Sequence, residues 1–484
     1  MIFAGWIATA ALLIDLAIRL GLSVRVIMRR PPIGVCLAWL CIILPFPIVG
    51  VFLYLFFGEY RLGHARLKRA ATAYAAGHRQ FMESKKTSRL ESPAGPRWES
   101  LVRAGEALLD ARYLPGNGMS LLRDAEAAFP SIINDIDNAK RSCDLETYIW
   151  SPGGCADDVS AAVIRAAERG VRCRVLLDAM GSKQFLRHEL SREMRAKGVE
   201  VRTALSTNPF SILAARLDLR LHRKIIVIDG EVAYTGSLNL ADPRLFKQDA
   251  GVGQWVDAAT RVTGPAVEAL AMVFLTDWAV ESGTPLEQLF SPRDFSARGN
   301  EGSAGIQVLS SGPAGRTDAI EQILLMAIYE AQSELVLTTP YFVPSESMMF
   351  ALLSASARGV DVTLIVPAKV DSRMTQFASR SNEGDLLAAG VRVAHYRDGL
   401  LHTKSVTVDG DFSLFGSLNL DYRSLHLDFE VMLAVYDRGF TAELSELQHH
   451  YLDCSTVLDS ATLQSRSRIE EFAENVARLA GPML

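Results

Sequence analysis

Two segments of the chain carry the same six-position pattern of chemically active residues. Residues 221–240 read LHRKIIVIDGEVAYTGSLNL, and residues 401–420 read LHTKSVTVDGDFSLFGSLNL. Each has a histidine, a lysine two residues later, an aspartate five residues after the lysine, then Gly-Ser and an asparagine. Besides Gly236 and Gly416, the pattern comprises His222, Lys224, Asp229, Ser237 and Asn239 in the first copy and His402, Lys404, Asp409, Ser417 and Asn419 in the second. Because the segments otherwise differ, chance or an ordinary structural histidine explains the recurrence poorly.

An imidazole, an ammonium, a hydroxyl and an amide together suit a phosphodiester. Lysine places a point charge near non-bridging phosphate oxygens, and serine and asparagine add hydrogen-bond donors. Histidine attacks phosphorus or transfers a proton near neutral pH. A histidine nucleophile needs a second group to protonate the leaving alkoxide. Two histidines at a pseudo-twofold interface divide these tasks, so the sequence predicts one shared site for phosphodiester chemistry.

The elements that must hold these residues are short strands. The β-branched runs at residues 225–228 and 405–408 predict buried strands, with the preceding histidine and lysine on one face. The Asp-Gly pair after each run predicts a tight turn into a second strand. Ahead of each motif, the pattern predicts a helix, a strand, a helix ending in Arg-Gly-Val, and an apolar strand. We therefore predict two mixed α/β halves, duplicated with an offset of 180 residues.

At these residues the sequence resembles the phospholipase D superfamily, whose signature is HxKxxxxD followed by GSxN, and within it the bacterial cardiolipin synthases. The closer similarity rests on TGSLNLADPRLFKQDAGVGQW after the first motif and GSLNLDYRSLHLDFE after the second. The resemblance implies two pseudo-symmetric phospholipase D-like α/β/α halves that share one active site, preceded by a transmembrane helical hairpin. It implies phosphatidyl transfer between two phosphatidylglycerol molecules through a phosphatidyl-histidine, giving cardiolipin and glycerol.

The resemblance also implies roles for single residues. By analogy, His222 is the nucleophile and His402 the general acid and base, although sequence symmetry alone does not order them. Asp229 and Asp409 belong to the catalytic motif, but their Asp-Gly turns favour a structural task. Arg423 and the serine after it either contact a headgroup phosphate or stabilise their loop.

Two further carboxylates complete the predicted site. Glu430 and Asp249 are each candidates to accept a hydrogen bond from a catalytic histidine and so fix its tautomer. The motif serines and asparagines are expected to bind the substrate or support the site. The two lysines already supply a positive field, and no carboxylate cluster has metal-ligand spacing. We therefore expect neither a metal nor another cofactor.

Composition limits the partners of the protein. The chain has 484 residues, of which 49% are hydrophobic, enough to fill more than one core. A net charge of −5 gives no sign of the broad basic surface of a nucleic-acid enzyme. The six cysteines lack metal spacing, which indicates free thiols in a reducing compartment. We expect a phospholipid bilayer and phosphatidylglycerol as partners, and no nucleic acid. The oligomeric state stays open.

The N-terminal region is predicted to be a membrane hairpin of two helices, at about residues 2–24 and 33–58. The second run is uncharged and long enough to span a bilayer, despite two prolines. The first is interrupted by Asp15 and Arg19, whose i, i+4 spacing allows them to pair. Flanking basic residues favour the cytoplasmic face for the catalytic part, and we expect the hairpin to lie in the cell (inner) membrane.

The sequence divides into four predicted regions. These are the transmembrane hairpin (1–60), a juxtamembrane basic segment and linker (61–125), the first phospholipase D-like half (126–290) and the second half (300–484). Residues 208–220 are about equally well interpreted as a core helix or as an interfacial segment that admits lipid. The alternatives to the transferase are a membrane-bound phospholipase D-type hydrolase, a nucleic-acid phosphodiesterase and an inactive membrane scaffold.

Overall fold

The structure, a computed structural model, describes most of the chain as two compact units. The described residues are 2–30, 33–58, 63–84, 95–206, 216, 218–289, 301–459 and 466–479. One unit comprises Met1–His64 and Thr207–Leu219, and the other Ala65–Ser206 and Arg220–Leu484. Both copies of the motif lie in the larger unit. Most of the segment 208–220 lies outside the described residues.

Three helices form the described part of the smaller unit: α1 (Ile2–Met28), α2 (Ile33–Ile43) and α3 (Pro47–Phe57). The single helix expected over residues 33–58 is therefore two helices. Pro47 is the first residue of α3, where its missing N–H is tolerated, whereas inside a continuous helix it would remove a hydrogen bond. Within the described ranges, no helix combines the length and apolar character needed to cross a bilayer.

The ion pair expected in the first helix is present. The Arg19 guanidinium lies 2.7 Å from the Asp15 carboxylate, one turn away on the same face. A small core of Val26, Ile43 and Tyr54 joins the three helices. The charges of Asp15 and Arg19 neutralise each other through their ion pair, within an otherwise apolar helix.

The remaining described chain alternates helices with strands. The helices from residue 64 onward are α4 (His64–Ser84), α5 (Glu99–Leu109), α6 (Ala125–Asp137), α7 (Cys155–Glu168), α8 (Lys183–Arg187), α9 (Glu189–Ala196), α10 (Pro265–Ser282), α11 (Leu286–Leu289), α12 (Ala319–Glu330), α13 (Glu346–Ala357), α14 (Arg373–Arg380), α15 (Glu383–Ala388), α16 (Tyr422–His426), α17 (Arg438–Asp453) and α18 (Arg468–Leu479). The strands of the first half are β1 (Leu114–Leu122), β2 (Ser142–Thr147), β3 (Arg172–Asp178), β4 (Glu200–Ala204), β5 (Ile225–Ile228), β6 (Val232–Gly236), β7 (Trp255–Val256) and β8 (Ala259–Thr263). Those of the second half are β9 (Ala304–Ser311), β10 (Glu334–Thr338), β11 (Phe342–Val343), β12 (Asp361–Pro367), β13 (Arg392–Tyr396), β14 (Leu400–Leu401), β15 (Ser405–Val408), β16 (Phe412–Gly416), β17 (Leu420–Asp421), β18 (Glu430–Tyr436) and β19 (Ser455–Val457).

Fifteen of these strands form one mixed sheet in the order β4-β3-β2-β5-β6-β8-β1-β9-β18-β16-β15-β10-β12-β13-β19. The order β8-β6-β5-β2-β3-β4 of the first half repeats as β18-β16-β15-β10-β12-β13 in the second. The three outer strands of each set are parallel, and the motif strands form an antiparallel hairpin. The predicted duplication of mixed α/β halves is therefore present, with the halves joined where β1 pairs with β9.

The region expected to be a linker is largely folded. The helix α5 packs on the second half, where Trp98, directly before it, stacks on Phe412 with ring centroids 4.5 Å apart. The Gln307 amide donates to the Val102 carbonyl at 2.9 Å. The strand β1 pairs with β8 and β9 at the centre of the sheet. The interpretation of residues 95–122 as linker is corrected, because they complete the sheet and its core.

Candidate active site

Each motif histidine is positioned by main chain from the opposite half. His222 and His402 lie three residues before β5 and β15, respectively, on short parallel ladders. The His222 N–H donates to the Phe429 carbonyl at 2.9 Å, and the His402 N–H donates to the Val256 carbonyl at 2.8 Å. The two motifs therefore meet at the interface of the halves.

Each histidine side chain also contacts a carboxylate from the opposite half. His222 Nδ1 lies 2.9 Å from Glu430 Oε1, and His402 Nδ1 lies 2.6 Å from Asp257 Oδ1. A carboxylate at Nδ1 favours the tautomer that leaves Nε2 free to attack or to accept a proton. Glu430 was expected in this role. The second partner is Asp257 and not Asp249, which lies in an exposed 3-10 helix of residues 248–250.

The motif serines support these carboxylates. The Ser417 hydroxyl donates to the second oxygen of Glu430 and accepts from the Val431 N–H at 3.0 Å. The Ser237 hydroxyl contacts Asp257 and accepts a hydrogen bond from the N–H of Ala258, the residue after Asp257, at 3.1 Å. Each serine thus holds the carboxylate of its own half, which in turn orients the histidine of the other half.

The two lysines are buried beside the histidines. Lys224 Nζ donates to the His222 carbonyl at 2.7 Å, and Lys404 Nζ donates to the His402 carbonyl at 2.5 Å. Burial lowers the pKa of Lys224 to about 8, and burial lowers the pKa of Lys404 well below its usual value. A phosphodiester anion among these groups would favour the charged form of both lysines.

The protein environment lowers the pKa of both imidazoles. Burial, then Lys224 and Lys404, lower the pKa of His222 well below 6.5. Burial also lowers the pKa of His402 to about 4, against the opposing effect of Asp257. Burial raises the pKa of Glu430 to about 7. Burial also favours a higher pKa for Asp257, but His402 and Lys404 lower this pKa more than burial raises it. The pKa of Asp257 is therefore lowered, and its carboxylate is ionised.

The motif asparagines carry buried amide atoms without partners in the described part of the chain. Asn239 Oδ1 accepts from the Ile149 N–H at 3.2 Å, whereas its Nδ2 has no hydrogen-bond partner there. Asn419 Oδ1 is likewise buried without one. Leaving a buried polar atom unsatisfied is unfavourable, which indicates a role toward a polar substrate.

The motif aspartates lie away from the histidines and serve the fold. The Asp229 carboxylate accepts from the N–H groups of Lys140, Arg141 and Ser142 at 2.6 to 2.9 Å. Asp409 accepts from the N–H groups of residues 332–334 and from Arg97. Each is separated from its lysine by a four-residue strand, roughly 13 Å long. These contacts are the structural task that the Asp-Gly turns favour, because they fasten each motif hairpin to β2 or β10.

Sequence reasoning missed Arg223, the residue between histidine and lysine in the first copy. Its side chain is buried and donates to the Asp277 carboxylate. It also donates to the main-chain carbonyls of Glu430 at 3.1 Å and Ser311 at 2.8 Å. The Tyr74 hydroxyl of α4 is bonded to it as well. Only the charge of this residue was visible in the sequence, since its partners come from distant segments.

The two histidines have different flanks. On a parallel ladder, residues two apart share a face. Residues two positions before each histidine and each carboxylate therefore lie beside the site: Arg220 and Asp428 near His222, and Leu400 and Trp255 near His402. The Tyr148 ring lies 5.0 Å from the His222 ring, and the Trp255 ring lies 4.5 Å from the His402 ring. The duplication thus repeats the reactive groups but not their surroundings.

Among the described residues, no group of three or more His, Cys, Asp or Glu side chains is placed so that it could hold a metal ion.

Comparisons with known proteins agree with this geometry. The family model described as "Cardiolipin synthase, PLD-like domain" matches residues 132–278 and 324–451, and "Phospholipase_D-nuclease N-terminal" matches residues 17–59. Cardiolipin synthase A of Serratia proteamaculans is 40% identical over 490 residues, covering 100% of this chain and 98% of its own. Cardiolipin synthase A of Pectobacterium carotovorum is 41% identical over 467 residues, covering 96% of both. The solved phosphatidylserine synthase of Haemophilus influenzae Rd KW20 shares the fold, with a TM-score of 0.58 and 17% identity over 80% of this chain and 100% of its own.

Proposed function

Because the chain belongs to the family of phospholipase D-like cardiolipin synthases, we propose that it transfers a phosphatidyl group from one phosphatidylglycerol to the terminal hydroxyl of another. The products are cardiolipin and glycerol. The observation that carries this proposal is the pair of histidines in one site, each held at Nδ1 by a carboxylate of the opposite half. One nucleophile and one acid-base group are the minimum for a covalent phosphoryl transfer.

The first half-reaction forms a phosphatidyl-histidine. His402 enters this step as an imidazolium with a proton on each ring nitrogen, because the bound phosphodiester anion favours its charged form. His222 Nε2 attacks phosphorus as the bond to the glycerol oxygen breaks, and the Nε2–H of His402 gives that oxygen its proton. Asp257 supports this assignment, because an ionised carboxylate stabilises the imidazolium form of His402. Lys224, Lys404 and Asn239 bind the non-bridging oxygens, on which charge develops.

The second half-reaction reverses the first with a new alcohol. His402 takes the proton of the acceptor hydroxyl, whose oxygen attacks phosphorus and displaces His222 Nε2. Glycerol leaves and acceptor enters on the same side of phosphorus, beside His402, because the displacement is in line.

A lipid assay tests the reaction with the full-length protein in phosphatidylglycerol micelles. Wild type should form cardiolipin and glycerol in equal amounts, whereas His222→Ala and His402→Ala should each lose about 10³-fold or more in rate. His449→Ala, which changes an exposed histidine, is the matched control and should remain active. Phosphatidic acid without cardiolipin would make the enzyme a hydrolase. Activity in both site variants would exclude the histidine mechanism.

We propose further that the smaller unit anchors this enzyme in the inner membrane, with the larger unit on the cytoplasmic face. Large apolar side chains are exposed along its helices, among them Trp6, Leu12, Ile33 and Ile48 at 60% or more. Such a surface is unfavourable in water and favourable in lipid. Deletion of residues 2–62 should release the protein from washed membranes, and protease should cut the larger unit in inside-out vesicles but not in spheroplasts. Retention of the truncated protein, or cleavage in spheroplasts, would contradict the arrangement.

A further inference from the structure

The side of the site next to His402 contains an unused hydrogen-bond donor. Trp255 is 8% exposed, its ring centroid lies 4.5 Å from that of His402, and its indole N–H has no partner among the described residues. Trp98 and Trp150 also have unpartnered buried N–H groups, but they stack on Phe412 and Phe185. Of these three indoles, Trp255 is the one packed on a catalytic residue.

An ammonium group lies over the same indole. Lys247 Nζ is 5.5 Å from the Trp255 ring centroid and 2.9 Å from Asp371 Oδ2. The other oxygen of Asp371 accepts from the Tyr341 hydroxyl at 2.8 Å, so the carboxylate that holds Lys247 is itself held. The Lys247 side chain is 46% exposed, and an anion therefore has access to it. Together, these groups place one fixed cation and one N–H donor beside His402.

The proposed reaction requires recognition at this position. The glycerol that leaves and the lipid that enters occupy the same side of phosphorus. They differ because the entering glycerol is esterified to a second, unreactive phosphate. The motif lysines are engaged by the phosphate under attack. An enzyme that forms cardiolipin in the presence of released glycerol and water therefore needs a second anion site, one glycerol length from the reacting phosphorus.

We propose that Lys247 and the indole N–H of Trp255 bind the phosphate of the acceptor phosphatidylglycerol and so select it over glycerol. The inference rests on the proposed function, since it names the acceptor subsite of that same reaction. Asp371 and Tyr341 are positioning residues for Lys247. A phosphate here accepts the unused indole hydrogen bond and a charge-assisted bond from the ammonium.

Two soluble acceptors that differ mainly in this phosphate test the proposal. With phosphatidylglycerol micelles as donor, transfer to glycerophosphoglycerol is compared with transfer of labelled glycerol, using the full-length protein. Lys247→Gln and Trp255→Phe should each lower the ratio of kcat/KM for glycerophosphoglycerol to kcat/KM for glycerol about tenfold or more. The rate of cardiolipin formation should fall by a factor similar to the fall in transfer to glycerophosphoglycerol.

The controls match the changed groups. Lys197→Gln removes another lysine that is 46% exposed and ion-paired, and Trp98→Phe removes another unpartnered indole N–H. Both should keep the wild-type preference between acceptors. An equal loss with both acceptors would reduce Lys247 and Trp255 to structural roles, and an unchanged preference would also overturn the inference. A wild type that yields phosphatidic acid and no cardiolipin would instead overturn the proposed function, and this inference with it.

Discussion

At the scale of single residues, the reactive groups were predictable and their partners only partly so. The ungapped repeat identified both histidines and both lysines, and Glu430 was correctly expected to contact a histidine. Asp257 was missed because the copies diverge after the motif. Ser237 and Ala258, which are bonded, lie 21 residues apart, whereas their counterparts Ser417 and Val431 lie 14 apart. A loop of unequal length hides such a correspondence from a position-by-position comparison.

The order of the histidines can be tested by trapping. Phosphatidyl-p-nitrophenol carries a leaving group that needs no proton, so His402→Ala should still form the covalent intermediate and then stall without a base. Peptide mass spectrometry should place the phosphatidyl group on His222, with a burst of nitrophenol. The reciprocal variant, His222→Ala, should give no adduct. An adduct on His402 in that variant would reverse the assignment.

The buried lysines predict an alkaline limit to activity. The pKa of Lys224 is lowered to about 8, chiefly by burial, so its ammonium is charged below that pH and neutral above it. Because the neutral amine no longer attracts phosphate, kcat/KM should fall as the pH rises through about 8. Lys224→Arg, whose guanidinium stays charged, should lack this limb even if its activity is lower. A wild-type profile that is flat to pH 10 would contradict the prediction.

At the scale of elements, local sequence signals were sufficient for the motif hairpins. Short runs rich in β-branched residues and an Asp-Gly turn act over a few residues, and Asp409 and Gly410 both adopt positive φ in that turn. The strand β1 had no such signal. Its sequence LPGNGMSLL contains proline, two glycines and asparagine, which are typical of a turn. Pairing with β8 and β9, which are distant in sequence, makes it a strand.

The hydrogen bonds of the motif aspartates make a prediction about stability. Burial raises the pKa of Asp409, but hydrogen bonds from Arg97 and from residues 332–334 lower it more, so it lies below its usual value. Its contribution to stability is complete above pH 3.8 and is lost as the pH falls through the lower folded pKa. At neutral pH, Asp409→Ala should reduce the free energy of unfolding by about 2–4 kcal/mol, with kcat of the folded fraction nearly unchanged.

Denaturant unfolding in detergent, combined with activity per folded molecule, measures both quantities. Asp361→Ala is the control, because its pair with Arg392 is exposed and should contribute less than about 1 kcal/mol. A loss of kcat without a loss of stability would return Asp409 to the catalytic residues.

At the scale of the whole molecule, the duplication was visible in the sequence, but the joining of the halves was not. That joining depends on strand pairing and on buried groups such as Arg223, which contacts α10 and main chain of the second half. Arg223→Met would leave Asp277 buried and without its cation. We expect a loss of about 3–5 kcal/mol in unfolding free energy.

A second variant separates charge from packing in this cluster. Arg223→Met combined with Asp277→Asn removes both charges, and it should recover part of the lost stability. The measurement is the same denaturant unfolding. Equal stability of Arg223→Met and wild type would show that this buried pair does not help to hold the halves together.

The unequal flanks of the two histidines have a kinetic consequence. Both substrates of the proposed reaction are the same lipid, so neither size nor charge distinguishes donor from acceptor. The protein distinguishes them by the position that each occupies, with Arg220 and Asp428 beside His222, and Leu400 and Trp255 beside His402. One lipid species then binds at two sites of different strength. Because glycerol leaves before the acceptor enters, the velocity should rise in proportion to the surface density of this lipid in a dilute bilayer and saturate along one hyperbola. The half-saturating density is then the sum of the constants of the two sites.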